Sequence, residues 1–433
     1  MIHSPPPQLS IKTKLHFSLN HSANPQKLAK YLPKFLPNIH REYIDKLHHS
    51  SEDNLHILLK RLKASPNLHL SMLGPSTNHF KKIVQNLKHI SSKSTTTSLK
   101  FLKNSSFDCA KGIFKHLKST TNITSLHLDF SQYKTPIQSF IYPLSISLKS
   151  LHSLASFTIN LGEHSKVVQK QLSLLHKSLR HNLSLQKFHV QLSQCKNIKD
   201  LSFLKSTKSS KLTGPISSLE YIFQDTYLNF DGISNLMAYV KSFEKLHTLK
   251  ITINSCFFMN KKCFDFIAKE LRSLKPIQNL SLDFSKNYGF EAQDLVIFSC
   301  SLPYLACLTS LSLSFKYWKM SKDQIDALCC GLRELKGLKK LGLDFSDTKI
   351  HLESFNRICE SMRQAGGLVE VFIGLEGVEI DTKKVILSVT ERLGYLKFLK
   401  KLELKLKLGS GVLVKKEMEI FHMKFQTIRA VVV

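Results

Sequence analysis

From Asn122 the chain reads NITSLHLDF, with Ile123, Leu126, Leu128 and Phe130 apolar while Ser125, His127 and Asp129 fall between them. Alternation with a period of two is what a strand shows when one of its faces is buried. The same pattern returns in LASFTINL, LQKFHVQL, IQNLSLDF, LTSLSLSF and LKKLGLDF. With the second apolar residue of each block as its anchor, the anchors are Leu126, Phe157, Phe188, Leu219, Leu249, Leu280, Leu311, Leu341, Val371 and Leu402, each 30 or 31 residues after the last. A period this regular predicts a solenoid of stacked units. Weaker copies are expected with anchors at Leu68 and Leu99, and a frayed one at Leu15.

Each unit changes period after its strand. Ile325, Leu328, Leu332 and Leu335 recur at three and four, as do Val168, Leu172, Leu175 and Leu179, which is the stripe of an amphipathic helix. Ser321 and Gln324 have the spacing of a capping box, and Ser165 stands where the other helix would begin. Strand, turn, helix and return make one unit, whose apolar face stays exposed unless a neighbour covers it. Strands stack about 4.8 Å apart whereas helices need about 10 Å. The stack is therefore expected to bend into a horseshoe, with a parallel sheet on the concave side and helices on the convex side.

The blocks ITSLHLDF, IQNLSLDFSKN, LTSLSLSF and LKKLGLDFSDT resemble the L-x-x-L-x-L segment of the leucine-rich repeat family, and one helix per unit resembles its ribonuclease-inhibitor-like subtype. The resemblance spans about residues 65–407 and implies an α/β leucine-rich-repeat solenoid of about 11–12 repeats. It also implies a protein–protein interaction scaffold rather than an enzyme. One feature departs from the family: its Asn, Cys or Thr after the strand falls two residues later here, at +7 from the anchor. That column reads Tyr133, His164, Cys195, Thr226, Cys256, Asn287, Trp318, Thr348, Val378 and Gly409. Asn, Cys and Thr there can turn inward and bond backbone groups left free at the bend.

Outside the array, residues 1–64 carry helical segments broken by Pro33 and Pro37 and are expected to cap the first repeat, while 408–433 cap the last. STKSSKLTGP interrupts one helix region, which predicts an irregular loop at 206–215 and a hinge there. The nine cysteines form no C-x-x-C pair and no dense framework, which points to a reducing compartment. No apolar run reaches the length of a membrane span. Cytoplasmic or nuclear residence follows as the expectation.

Charge widens the range of partners. The formal net charge is +30, and residues 1–200 hold 28 Lys/Arg against 8 Asp/Glu. An acidic partner or RNA on the basic N-terminal half is thus an alternative to a neutral protein surface. The concave positions −1, +1, +3 and +5 around the ten anchors are balanced by contrast, with seven carboxylates against seven lysines. Asp129, Asp283 and Asp344 share the +3 column, and Lys250 and Lys316 belong to the same face. Tyr317 and Trp318, the only tryptophan, follow a strand beside lysines, a composition typical of interface centres, although Trp318 also fits the inward +7 slot. Phe372 is expected to stand exposed at +1. The candidate partner-binding residues are therefore Asp129, Lys250, Asp283, Lys316, Tyr317, Trp318, Asp344 and Phe372.

Catalytic chemistry is not indicated. There is no P-loop, zinc-protease or nucleophile-elbow motif. Adjacent His48 and His49 would point to different faces of a helix, and Cys329 and Cys330 read as helix packing. No cofactor or metal is expected. YLPKFLPNIHREYIDKL has the L-P-x-x-L flavour of an F-box, so a substrate adaptor of a ubiquitin ligase is a further alternative.

Overall fold

The computed structural model describes residues 43–44, 67–72, 95–101, 107–118, 120, 122–133, 138–162, 169–179, 182–207, 215–287, 292–406, 421, 423–425 and 429–432. The chain divides into two compact units. One runs to Asn160 apart from residues 136–138, and the other comprises those three and everything from Leu161.

In the first unit, strands β1 (Tyr43–Ile44), β2 (Asn67–Met72), β3 (Thr96–Phe101), β4 (Ser125–Asp129) and β5 (Ser156–Asn160) pair in parallel and in chain order. Helices α1 (Phe107–Leu117) and α2 (Gln138–Ser150) fill the returns. Leu126, Leu128, Phe157 and Ile159 are buried as the alternation requires. Behind them Phe101 and Phe130, equivalent residues of successive repeats, stack at 4.5 Å, and Phe140 from α2 stacks on Phe130 at 4.3 Å. The register corrects one anchor. Leu68 lies opposite Thr97 and Thr97 opposite Leu126, whereas Leu99 pairs with Leu128. Thr97, not Leu99, is the anchor of that repeat. A short polar side chain at the anchor moves the visible apolar pattern two residues on.

The second unit repeats this plan nine times in strand. Its strands are β6 (Lys187–Ser193), β7 (Ser218–Gln224), β8 (Thr248–Asn254), β9 (Asn279–Asp283), β10 (Ser310–Ser314), β11 (Lys340–Asp344), β12 (Glu370–Gly374), β13 (Lys401–Lys405) and β14 (Arg429–Val432), again parallel and in order. Phe188, Leu219, Leu249, Leu280, Leu311, Leu341, Val371 and Leu402 stand in one row of that register, and every one is buried. The closing valines, which have no helical period, extend the sheet as β14. Helices α3 (Gln169–Leu179), α4 (Phe230–Lys241), α5 (Lys261–Leu271), α6 (Ala292–Ser299), α7 (Lys322–Arg333), α8 (Leu352–Ala365) and α9 (Thr382–Leu393) alternate with the strands. Ser321 and Gln324 close the expected capping box at the start of α7. Between β6 and β7 a 3-10 helix, Ser202–Thr207, takes the place of an α-helix. Most of the loop expected at 206–215, most of both expected caps, Leu15, His48, His49, His164, Ser165, Val168 and Gly409 lie outside the described residues.

A turn of fixed geometry ends each strand. Gln194, Asp225, Ser255, Lys286, Tyr317 and Asp347, all six residues past an anchor, have φ between 52° and 66°. Each N–H donates to the strand-end carbonyl of the next repeat, as from Gln194 to Gln224 at 2.7 Å and from Lys286 to Lys316 at 3.0 Å. The reversal then drives the +7 side chain into the core. Asn287 there donates to the carbonyls of Ile253 (2.6 Å) and Phe284 (2.9 Å) and accepts from the N–H of Cys256 (2.9 Å). The hydroxyl of Thr348 donates to the Phe345 carbonyl at 2.6 Å. These side chains satisfy the backbone groups that the bend strands.

Candidate functional site

Because alternate residues of a strand point to opposite sides, the columns between the buried anchors form the outer face of each sheet. In the second unit the +1 column runs His189, Glu220, Lys250, Ser281, Ser312, Gly342, Phe372 and Glu403. Ser281, Ser312 and Gly342 make a floor of small side chains, with Lys250 at one end and Phe372 at the other. A Cβ on Gly342 would lie 3.2 Å from the Ser312 hydroxyl and 3.8 Å from the Phe372 ring, so the floor is closely packed as well as low. Phe372 is half-buried rather than exposed.

The balanced charge of this face is spent on itself. Lys250 reaches Glu220 at 2.6 Å, Lys316 reaches Asp344 at 2.9 Å, Lys340 reaches Glu370 at 2.7 Å, Lys401 reaches Glu403 at 3.1 Å and Lys405 reaches Glu376 at 2.8 Å. In the first unit Lys100 stands 3.8 Å from Asp129. Partly exposed pairs of this kind contribute only about 0.2–1 kcal/mol each. They neutralise the surface without locking it.

The +3 aspartates have a second duty. Asp129, Asp283 and Asp344 accept the N–H of the residue two positions on, Ser131 at 2.9 Å, Ser285 at 2.9 Å and Ser346 at 3.1 Å. The Ser285 hydroxyl donates to Asp283, and that of Ser346 to Asp344 at 2.7 Å. The D-F-S sequence thus closes the strand end, and Ser285 and Ser346, expected on the open face, are buried. Asp129 belongs to the first unit and the other seven candidates to the second.

Trp318 is a correction. It is 5% exposed, its indole N–H donates to the Phe284 carbonyl at 2.8 Å, and its ring packs on Phe264 and Phe315. It occupies the inward slot and offers nothing to a partner. Tyr317, in the left-handed turn position, stays 39% exposed with the Lys286 ammonium 5.0 Å above its ring. Sequence reasoning missed Phe257 and Phe258, which stand 72% and 51% exposed after β8. The available signal was spacing: the anchor-to-cap distance is one residue longer in this repeat, Leu249 to Asn260, than in its neighbours, Leu219 to Asn229 and Leu311 to Ser321.

The thiols of the core are poor nucleophiles. Burial pushes Cys195 and Cys359 up to about 12 and Cys256 and Cys329 up to about 11. Among the described residues no group of three His, Cys, Asp or Glu side chains is placed to hold a metal ion.

What decides the fold is the combination now described: strand–helix units of 30 or 31 residues in parallel register, apolar anchors in one row, and an inward Asn, Cys or Thr after the strand. The fold is that of a leucine-rich repeat protein. No protein-family model matches the sequence, and no curated protein does. Among solved structures, yeast Rad7 in its complex with Elc1 is 14% identical, with 90% of each chain covered and a TM-score of 0.50. The leucine-rich repeat-containing protein LegL7 from Legionella pneumophila is 15% identical over 81% of this chain and 96% of its own, with a TM-score of 0.46. Internalin C2 from Listeria monocytogenes is 13% identical over 62% and 84%, with a TM-score of 0.30. At such identities the likeness is one of fold alone.

Proposed function

We propose that the chain is a non-enzymatic scaffold that grips a partner protein on the outer sheet face of its second unit and on the adjoining loops. One observation carries the reading. Parallel sheets are ordinarily covered on both faces, whereas this one keeps an open column of small and self-neutralised side chains, Ser281, Ser312 and Gly342 between Lys250 and Phe372. A partner that covers Lys250, Lys316 or Lys340 meets a charge already paired with its own carboxylate. Tyr317 at the rim and Phe372 in the face supply the apolar contacts, and Asp283 supplies an acceptor. Rad7, which shares the fold, was solved as a complex with Elc1, which fits a fold used for holding another protein.

The single α-helix in most returns supports placement with the ribonuclease-inhibitor-like repeats. The free thiols, three of them exposed at Cys300, Cys307 and Cys330, support residence in a reducing, intracellular compartment. No helix of the described residues is long and apolar enough to cross a membrane.

The test is capture with blocked faces. Ser281→Arg with Ser312→Arg fills the floor without touching the core, while Lys336→Glu alters an exposed turn on the helical side. Proteins retained by the wild-type chain should be lost with the double variant and kept with the control. Equal retention by all three chains refutes the sheet face as the gripping surface.

A further inference from the structure

Lys250, Lys316, Lys340, Lys401 and Lys405 of the sheet face pair with carboxylates, but lysines on the loops that follow β6, β10 and β11 do not. Lys196, Lys319 and Lys349, each eight residues past an anchor, are exposed and make no ion pair among the described residues. Lys286 lies over the Tyr317 ring at 5.0 Å. From β6 to β11 the described carboxylates on these loops are fewer, Asp225 and Asp347 in the tight-turn position and Asp200, which accepts from the Ser202 N–H and the Gln169 amide.

Interleaved with these cations are aromatic rings. Tyr227 meets Phe257 edge-on at 5.5 Å and Phe258 at 5.6 Å, leaving both phenylalanines largely in solvent. The repeat did not require this. Met259 takes the inward slot that Leu228 and Met320 take in neighbouring repeats, and the one extra residue pushes Phe257 and Phe258 outward together. Adjacent exposed phenylalanines are costly to keep in water and mark a contact surface.

We propose that this rim, from Lys196 through Tyr227, Phe257, Phe258 and Tyr317 to Lys349, is a platform for single-stranded nucleic acid. The occupant is chosen by three features acting together. The features come repeat by repeat along an edge whose strands lie about 4.8 Å apart, which suits an extended polymer. Lys196, Lys319 and Lys349 make no ion pair among the described residues, which suits a polyanion that gains by releasing counterions. Phe257 and Phe258 stand largely in solvent, which suits the flat bases of a single strand, whereas a duplex keeps its bases stacked away. The rim shares Tyr317 and its loop with the protein-gripping surface, but Phe257, Phe258, Lys196, Lys319 and Lys349 carry this reading and none of them carries the other.

Fluorescence anisotropy of the full chain with a labelled oligouridylate of about 15 nucleotides, at about 50 and about 200 mM salt, tests it. Phe257→Ala with Phe258→Ala should weaken binding at least about tenfold at both salts. Lys196→Ala with Lys319→Ala and Lys349→Ala should instead flatten the salt dependence. A hairpin duplex of equal charge should bind more weakly and ignore the phenylalanine change. All these substitutions lie on the surface, and emission from buried Trp318 reports that each variant is folded. The proposal is overturned by no binding at the lower salt, by a phenylalanine variant as tight as wild type, or by a poly-glutamate peptide that displaces the oligonucleotide at equal charge. The last result would identify the rim as a site for acidic protein.

Discussion

At the scale of single residues the chain shows which polar groups are functional and which hold the turns. Asp283 and Asp344 look like a binding stripe, yet both close a strand end on the serine two residues later. Trp318 looks like an interface anchor and is the largest member of the inward ladder. Thr97 is the converse, a polar residue with no such duty. It sits buried in the anchor row, and its hydroxyl finds no partner among the described residues. An unpaired buried hydroxyl costs about 1–3 kcal/mol, and valine has nearly the same shape. Thr97→Val should therefore stabilise the first unit by about 1 kcal/mol, read as slower hydrogen exchange at the amides of Leu126 and Leu128. Faster exchange would mean that the hydroxyl has a partner it cannot lose.

At the scale of elements, helices pack closely enough for glycine to be a spacing residue. A Cβ at Gly331 in α7 would stand 2.6 Å from the Ser299 carbonyl at the end of α6 and 3.2 Å from a Leu302 methyl. Alanine is favoured over glycine in an exposed helix by about 1 kcal/mol. Here the sign should reverse, with Gly331→Ala lowering the melting temperature because two helices must move apart. A raised melting temperature would show that the helices yield at little cost. Close approaches of this kind were not legible in the sequence, whereas the elements themselves mostly were. Burial at a period of two writes leucine and phenylalanine into fixed columns, so Leu126 through Leu402 announced the strands and their register. The pattern failed where chemistry replaced apolarity, at Thr97, and where a strand of four residues, β14, was too short to show a period. The site was less legible still. Which lysine meets which carboxylate depends on cross-strand register, and the exposure of Phe257 and Phe258 depends on one inserted residue in a loop.

At the scale of the whole chain, the net charge of +30 is not carried by the outer sheet face described in the second unit, where each lysine named meets a carboxylate. A repeat array is held together by contacts between neighbours, so its weakest repeat decides where it opens. In the second unit that repeat follows β6, where the 3-10 helix Ser202–Thr207 replaces an α-helix. Cys195 lies in this repeat, while Cys359 lies in α8 with α7 and α9 on either side. Burial holds both thiols up at about 12, so neither supplies appreciable thiolate near neutral pH until its surroundings open. Exposed Cys300, Cys307 and Cys330 should be alkylated by iodoacetamide in the native chain. As urea is raised, mass spectrometry should find Cys195 modified at a lower concentration than Cys359. A shared midpoint would mean that the nearest-neighbour picture fails and the unit opens as one cooperative block. The reverse order would place the weak point beyond α8, and the short helical turn after β6 would then cost the array nothing.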